Sequence, residues 1–515
     1  MNARSGLRLI AAVTALVTLS LVGATGVSGA ATPRILLVCS RAGRSSCPTN
    51  KHYSSIQAAV NDAGERDWIL VWPGVYHEKG TAQAGVYVNK RFLHIRGMDR
   101  NGVVLDGTNA GASQPCSASP AVQDLSGRNG IEVFEAGGVV IQNLTVCNYL
   151  AGPNGDGNQI WWNGGDGTGT INLASFQGTF LTATSSFYSS ADSASQYGIF
   201  VSNSRGPGAI RNSYASNMAD SDFYVGACPD CNTTLDRVHA ENSAIGYSGT
   251  NSGGHLVIQN SEWDLNRAGI VPNSLNNDDA PPPQSGLCPG STTQSCTFIQ
   301  GNHVHDNNNP NAPGSGIAAS APVGSGIEIS GGSFDTVRNN TVDHQGSWGI
   351  VVHDYPDTET PPPVSNCEGG TQSPGVCLFN ARGNVVSGNT LSNNGSFGNP
   401  TNGDLANEPG QSNPRNCFFG NTDAAGLTSD PANIETVDGP PCDQPGTGDD
   451  GTLAGELVCA SGLAGQCPIP GASYPQQTQV QMLPLQPQQT MPNPCADVPD
   501  NPWCKSGQPV YPIPH

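Results

Sequence analysis

Apolar residues recur along this chain in short units instead of long helical stripes. The clearest unit is Gly-apolar-x-apolar, which returns about every 22 to 25 residues over much of the chain. Its best copies stand at residues 130–133, 198–201, 326–329 and 349–352. This alternation predicts many short strands, each with one face directed to a core.

A second unit, apolar-x-x-Asn-x-apolar, follows the first and is clearest at residues 299–304, 337–342 and 386–391. An Asn that returns at one turn can stack its side-chain amide in a ladder, and Gly serves corners that need a positive φ. A period near 22 residues with several strands per repeat indicates a solenoid coil, roughly one coil per period. The predicted fold is all-β, a parallel β-helix. An antiparallel sandwich is disfavoured because hairpin turns are scarce.

Only one stretch near the start has a helical pattern. Residues 54–63 place Ile56, Ala59 and Val60 on one face, and Ser55 can cap the first turn. A strand is predicted directly afterwards at residues 68–72. This order predicts a short helix ahead of the first coils.

The segments SIQAAV (55–60), WILV (68–71) and PGVYHE (73–78) together resemble the opening of pectin-lyase-like proteins. With the Gly-Ile and Asn repeats, the resemblance covers about residues 53–394. It implies a right-handed parallel β-helix with an N-terminal helix that caps the first coil. It does not fix the chemistry, because this scaffold hosts lyases, esterases, hydrolases, epimerases and non-catalytic adhesins.

The domain organisation follows from changes in composition. Residues 1–30 have a basic start, a short apolar run and a small-residue cleavage site, which predicts a removed signal peptide. The β-helix is assigned to residues 31–395. An irregular, disulfide-stapled extension is expected at residues 396–466 and an extended tail rich in Pro and Gln at residues 467–515. No later apolar stretch predicts a membrane span in the mature chain.

Charge and cysteine content narrow the compartment and the partners. The chain has 21 Lys and Arg against 41 Asp and Glu, so nucleic acid is not expected as a partner. Sixteen cysteines indicate an oxidising, extracellular compartment. Neighbours in the sequence are expected to pair: Cys39/Cys47, Cys116/Cys147, Cys228/Cys231, Cys288/Cys296, Cys367/Cys377, Cys417/Cys442, Cys459/Cys467 and Cys495/Cys504. For Cys228 and Cys231, a redox pair or half a zinc site are the alternatives to a loop-stapling disulfide.

The candidate catalytic residues come from aligning the Asn-centred units. Apolar residues such as Trp263 and Val304 then point inward, and their neighbours on both sides point outward in two columns. Residues in one column are expected about 4.8 Å apart, and outward neighbours on one strand about 6.5 Å apart. Six imidazole and carboxylate residues fall on three successive coils: His239, Glu241, Glu262, Asp264, His303 and His305.

The imidazoles and carboxylates of these six residues suit acid–base chemistry on a polysaccharide. The expected carboxylate spacings match retaining as well as inverting glycosidases, and an imidazole can act as a base near neutral pH. Glu241 beside Asp264 brings like charges together, which favours a bound cation such as Ca²⁺. No set of metal ligands is defined by the sequence. The alternative is a solvated polar face without a function, since outward residues are polar by default.

The Gly-Ile strands present a second outward face. The repeat places Phe200 and Tyr224 on successive coils, which predicts an aromatic platform for sugar rings. Glu328, His353 and Asp354 lie further along this face and complete the predicted substrate-binding set. A core position for Phe200 is the alternative. Insertions at residues 276–297 and 354–375 are expected to project on one side, as walls of a groove or as surface decoration.

Two hypotheses on function follow. The first is a secreted β-helix protein that binds an extracellular polysaccharide and, if it is an enzyme, processes it as a lyase, hydrolase or epimerase. A neutral glycan fits the acidic chain better, and a uronate chain would need bridging by Ca²⁺. The second is a non-catalytic cell-envelope or adhesion protein whose disulfides and tail serve stability and attachment.

Overall fold

Parallel coils of three strands each build the fold in the computed structural model. The structure describes residues 32–40, 47–165, 168–276, 297–360, 362–409, 415–449, 451–463, 465 and 467–514. The predicted signal peptide at residues 1–30 and the predicted pair Cys288/Cys296 lie outside the described residues. The predicted architecture, an all-β right-handed parallel β-helix, is confirmed.

Three parallel sheets run along the coils, and we call them A, B and C. Sheet A consists of Ile35–Val38, Trp68–Val71, His94–Gly97, the first halves of Val139–Cys147 and Phe176–Thr184, Gly208–Arg211, Thr233–Asp236, Leu256–Gln259, Thr297–Gln300, Thr336–Arg338, Val385–Ser387 and Cys417–Phe419. Sheet B consists of Gly74–Tyr76, Val103–Asp106, the second halves of the same two long strands, Tyr214–Ser216, His239–Glu241, Glu262–Asp264, His303–His305, Thr341–Asp343 and Thr390–Ser392. Sheet C consists of Ala84–Val88, Asn129–Phe134, Ile160–Asn163, Tyr197–Ser202, Ser221–Gly226, Ile245–Thr250, Ala268–Asn273, Ser325–Ser330, Trp348–His353, Gly403–Asn407 and Ser429–Asp430.

The core lies between the three sheets. In sheet B the central residue of each short strand points inward, and Ala240, Trp263 and Val304 are fully buried. One apolar residue per strand is enough here because sheets A and C supply the other two walls. Burial of the central residue turns both of its neighbours outward, so the chemistry of sheet B is carried by the first and third residue of each strand.

An asparagine ladder fixes the register between sheets A and B. In this ladder the side-chain N–H of each asparagine donates to the Oδ1 of the next. The distances are 3.0 Å from Asn302 to Asn340, 3.0 Å from Asn340 to Asn389 and 2.8 Å from Asn389 to Asn421. Each of these four side-chain amides also donates to a backbone carbonyl of the preceding coil, which satisfies the buried amide. The ladder therefore holds successive coils at the same turn without a register slip.

Helical structure is limited in the described part of the chain. The first α-helix spans Ile56–Asp62, where the Ser55 hydroxyl accepts from the Ala58 backbone N–H at 3.2 Å. Two further α-helices span Ile434–Val437 and Thr452–Ser461. Short 3₁₀ helices stand at Pro120–Val122, Ala191–Ser193, Ile317–Ser320 and Val364–Asn366. The strands Tyr355–Asp357, Thr371–Ser373 and Val376–Phe379 form a small antiparallel sheet within the predicted second insertion.

The coils continue past residue 395, where the sequence pattern placed their end. Gly403–Asn407 pairs with Trp348–His353, and Cys417–Phe419 pairs with Val385–Ser387, both in parallel. The repeat is hard to recognise there because longer connections separate the strands. The asparagine ladder nevertheless reaches Asn421.

The C-terminal segment, residues 474–514, returns along the outside of the coils, and we call it the C-terminal strap. Its backbone is bound by outward asparagines: Asn217 donates to the Leu483 carbonyl at 3.0 Å and accepts from its N–H at 2.9 Å. The strap ends at the first coils, where Trp503 is fully buried and its ring lies 5.0 Å from that of Trp72. Cys504–Lys505 and Gln508–Pro509 form a two-stranded antiparallel sheet in this segment.

Seven disulfides lie among the described residues, and each joins the pair that the sequence predicted. Cys228 and Cys231 form a disulfide, which excludes them as a zinc half-site in this state. Seven disulfides are typical of proteins from an oxidising compartment. None of the helices in the described part of the chain is long and apolar enough to cross a membrane.

Candidate functional site

The histidine–carboxylate patch lies on the outer face of sheet B. The strand register pairs His239 with Glu262 and Glu262 with His303, and it pairs Glu241 with Asp264 and Asp264 with His305. This is the register that the asparagine-centred repeat predicted, and it is confirmed. The structure therefore brings all six candidate catalytic residues onto three neighbouring strands. Their catalytic role stays a prediction.

Two pairs of contacts organise one end of the patch. His239 Nε2 donates to Asp264 Oδ1 at 2.7 Å and lies 3.9 Å from Glu241 Oε2. The other oxygen of Glu241 accepts from the hydroxyl of Tyr214, which is buried on the preceding coil. His239 thus stands between two carboxylates, and Tyr214 orients one of them.

His303 and His305 organise the other end of the patch. Their rings are stacked, with centroids 4.1 Å apart. His305 Nε2 lies 3.4 Å from Glu262 Oε1, and His305 Nδ1 lies 3.0 Å from Asp306 Oδ2. His303 Nε2 lies 2.9 Å from Asp343 Oδ2 on the next strand.

Sequence reasoning left Asp343 out of the catalytic set, although it stands in the same outward column as His305. Asp343 accepts hydrogen bonds from both His303 and His344. Burial alone would raise the pKa of the Asp343 carboxyl, but these imidazoles outweigh it and lower the pKa below its usual value. Its position in the column was the signal that could have identified it.

Neighbouring carboxylates raise the pKa of two imidazoles of the patch, those of His239 and His305. Burial disfavours the imidazolium of His239, but the hydrogen bond and charge of Asp264 outweigh burial and raise its pKa above the usual value. The pKa of His305 is also raised, because the hydrogen bond to Asp306 and the charges of Asp264 and Glu262 outweigh its partial burial. In both cases the neighbouring carboxylates favour the charged form of the ring.

An open groove of about 570 Å³ borders the patch. Three residues of the patch contribute to its wall, and the full lining is Arg237, Val238, His239, Asn260, Ser261, Glu262, Gly301 and His303. The groove crosses successive coils at the corner between sheets A and B, so a chain-like ligand lying in it would contact several coils at once.

Four of the five candidate substrate-binding residues lie on sheet C, apart from the patch on sheet B, and Asp354 directly follows the sheet C strand Trp348–His353. Phe200 and Tyr224 occupy paired positions as predicted, but their rings serve to pack one another. Phe200 is stacked with Trp161 and with Tyr197, with centroids 4.9 and 4.3 Å apart, and it meets Tyr224 edge-on. Tyr224 is buried. The ring area left for a sugar is therefore small, and the sugar-binding role stays a prediction.

Trp161 belongs to this aromatic cluster and was missed in the sequence. It stands on the strand Ile160–Asn163, one coil before Phe200. That strand is preceded by Gln159, whereas the clearest copies of the unit have Gly at this position. An alternating pattern of Ile160 and Trp162 was the signal that could have identified the coil.

Glu328 and His353 form a buried pair on sheet C. His353 Nε2 lies 2.9 Å from Glu328 Oε1, and both side chains are almost inaccessible to solvent. Burial disfavours the His353 imidazolium, yet the hydrogen bond and charge of Glu328 raise the His353 pKa. Asp354 accepts from the side chain of Asn380 and the N–H of Ala381, so it anchors the end of the antiparallel insertion. The substrate-binding role of Glu328, His353 and Asp354 stays a prediction.

Among the described residues, three groups of side chains have donor atoms close enough to share a metal ion. Two of them lie in the patch: His239, Glu241 and Asp264 form one, and Glu262, His303 and His305 form the other. The third includes Cys39 and Cys47, which are oxidised to a disulfide and so offer no thiolate.

Neither protein-family models nor curated proteins match this chain. Solved structures do. The A-module of the mannuronan C-5 epimerase AlgE4 from Azotobacter vinelandii is 14% identical, with a TM-score of 0.45, over 72% of this chain and 90% of that chain. An alginate lyase from Paenibacillus sp. str. FPU-7 is 14% identical, with a TM-score of 0.35, over 77% of this chain and 97% of that chain. The pectin methylesterase PemA from Erwinia chrysanthemi is 12% identical, with a TM-score of 0.27, over 81% and 93%. What these proteins share with this chain is the β-helix fold.

Proposed function

We propose that this protein is secreted, binds an extracellular polysaccharide in the groove beside the histidine–carboxylate patch, and processes it there. The observation that carries the proposal is the position of His239, Glu262 and His303 in the wall of an open groove that crosses several coils. A repeating polymer suits such a surface, because each coil adds a similar subsite along the axis. The seven disulfides support an extracellular location.

The patch contains the groups that proton transfer on a sugar requires. His239, held between Asp264 and Glu241, can donate a proton to a ligand oxygen or remove one from a ligand carbon or hydroxyl. Its two carboxylates orient the ring and stabilise the imidazolium that forms. Acid–base chemistry of this kind serves a lyase, a hydrolase or an epimerase, and the product distinguishes the three.

A second candidate function is a non-catalytic envelope or adhesion protein. The observation that favours it is that the imidazoles and carboxylates of the patch are already paired with one another, as a solvated polar face would be. The strap and the disulfides would then serve the stability of an extracellular rod.

The test is incubation of the mature protein with neutral and uronate polysaccharides, with and without Ca²⁺. Reducing ends report hydrolysis, ultraviolet absorbance reports an unsaturated lyase product, and proton exchange with solvent reports epimerisation. We expect that His239→Ala and Asp264→Ala lose product formation and that His255→Ala keeps it. His255 is the matched control, because it is exposed, lies outside the groove lining and pairs with Asp230 at 2.8 Å.

Retention of the protein on a glycan without any product would support the adhesion function instead. Product formation that survives both patch variants would place the reaction outside this patch and overturn the proposal.

A further inference from the structure

We propose that Glu262, His303 and His305 bind a divalent transition-metal ion of the Zn²⁺ class. One donor atom from each of these side chains lies within 4.8 Å of the donor atoms of the other two. His303 and His305 stand two residues apart on the outward face of one strand, and Glu262 stands beside His303 on the neighbouring strand. The three side chains thus converge from two adjacent coils. These coils are joined on both sides of the strands, because the Ser261 N–H donates to Asn302 Oδ1 at 3.2 Å and the Asn266 side-chain amide donates to Asn307 Oδ1 at 3.1 Å.

The spacing of the donors suits tetrahedral coordination. Two ligand atoms that each bind a tetrahedral Zn²⁺ at about 2.0–2.2 Å stand about 3.4 Å from one another. His305 Nε2 and Glu262 Oε1 are 3.4 Å apart. A metal ion could therefore replace this weak contact with only small movements of two partly exposed side chains.

A second set of carboxylates holds the two imidazoles in place. His303 Nε2 is bound to Asp343, and His305 Nδ1 is bound to Asp306, so one nitrogen of each ring is fixed and the other remains for a metal. Histidines that bind metals typically donate their second ring N–H to a carboxylate, which orients the ring and increases its basicity.

The donor set favours a zinc-class ion over Ca²⁺. Two imidazoles and one carboxylate are ligands for Zn²⁺ and its transition-metal neighbours, whereas Ca²⁺ takes six to eight oxygen ligands in proteins generally. The neighbouring group of His239, Glu241 and Asp264 is a weaker candidate. Its His239 is already engaged at 2.7 Å by Asp264, and its Glu241 accepts from Tyr214.

Three protein ligands leave a fourth position open, as in catalytic zinc sites. Glu262 and His303 both line the groove, so this position faces the space where a polymer would lie. An oxygen of the polymer, a carboxylate or a hydroxyl, is the ligand that fits there. The metal would also supply positive charge to a chain with 41 acidic and only 21 basic residues. Binding of the metal stands on the donor geometry alone, while this role rests on the proposed function.

The experiment is titration of the full mature protein, free of affinity tags and treated with a chelator, with Zn²⁺, Co²⁺ and Ca²⁺ by calorimetry. We expect one Zn²⁺ site and a Co²⁺ complex with the strong visible absorption of four-coordinate cobalt. His305→Ala and Glu262→Gln should abolish this site. Asp343→Asn should weaken it about 10- to 100-fold, because Asp343 only positions His303. His255→Ala is the matched control and should bind Zn²⁺ as the wild type does.

Zn²⁺ binding that is unchanged in His305→Ala, or a Co²⁺ spectrum of six-coordinate cobalt, would overturn the proposal. So would Ca²⁺ binding at the same site with higher affinity than Zn²⁺. These readouts need no glycan. Glycan processing without metal binding would overturn the metal site and leave the proposed function standing. Metal binding without any glycan activity would overturn the proposed function and leave the metal site standing.

Discussion

Two imidazole–carboxylate pairs of this protein have nearly the same contact geometry and very different surroundings. His239 and Asp264 meet at 2.7 Å beside the groove on sheet B, with 32% and 13% of their side chains exposed. His353 and Glu328 meet at 2.9 Å on sheet C, with 8% and 3% exposed. The contact distance alone therefore does not tell which pair is available to a ligand.

The covering elements make the difference. Sheet C near Glu328 is flanked by the antiparallel insertion, by the buried Arg267 and by the helix Thr452–Ser461, whose apolar residues pack on Val351. Among the described residues, no such layer covers sheet B at His239. The C-terminal strap runs beside it, along the turn that follows the strands, where Asn217 and Asn242 donate to the carbonyls of Leu483 and Gln481. A charged pair under cover can act only on stability, whereas the same pair in a groove can also bind a ligand.

The largest expected difference between the two pairs is in how much each contributes to the free energy of unfolding. Removal of one partner from the covered pair, as in His353→Ala, leaves Glu328 buried and unpaired, which is expected to cost about 3–5 kcal/mol. Asp264→Ala is expected to cost about 1 kcal/mol or less, because water screens the pair beside the groove. Thermal and denaturant unfolding, followed by circular dichroism, measure both.

The double variant Glu328→Leu/His353→Leu is the control for the cause of this loss. It removes both charges, and it should recover much of the stability that His353→Ala loses. Equal losses of unfolding free energy in His353→Ala and Asp264→Ala would show that burial under the covering elements does not make the two pairs differ in stability.

The sequence could predict the part of this contrast that rests on contacts between residues close together in the chain or on its repeat. The register of sheet B was predictable because the asparagine unit recurs at the same place in each coil, so His239, Glu262 and His303 fall in one column from local pattern alone. The disulfides were predictable for the same reason, since each joins neighbours in the sequence.

The cover of Glu328 and the path of the strap could not be predicted in this way. Arg267 is held by the carbonyls of Ala460 and Ser461, nearly 200 positions away, and Arg96 donates to the Pro494 carbonyl at the far end of the chain. Such contacts are set by tertiary packing, which leaves no period in the sequence. The missed Trp161 is a smaller case, because Gln159 stands where the clearest copies of the repeat have Gly.

The two pairs are also expected to differ in how their contribution to stability depends on pH. The pKa of His353 in the folded protein is raised by Glu328, against the effect of burial, above an unfolded value of about 6.5. A group with a raised folded pKa contributes stability that is complete below the unfolded pKa and is lost as pH rises through the folded pKa. The melting temperature of the wild type should therefore fall above about pH 6.5 relative to Glu328→Gln/His353→Asn. The control His255→Asn should show the same fall of melting temperature with pH as the wild type. If the melting temperature of Glu328→Gln/His353→Asn falls with pH in parallel with the wild type, other groups cause the pH dependence.

The smallest expected effect sharpens the comparison at His239. Its pKa is raised mainly by the hydrogen bond and charge of Asp264 against partial burial, with smaller contributions from Glu262 and Glu241. Asp264→Asn should therefore lower the pKa of His239 more than Glu241→Gln, whose carboxylate lies 3.9 Å away. Because the groove is open to water, added salt should also lower the His239 pKa, while the covered His353 should respond little. NMR titration of the histidine ring protons, assigned with His239→Gln and His353→Gln, measures all of these shifts. An equal response of both histidines to salt would mean that the groove is as well shielded from solvent as the covered face of sheet C.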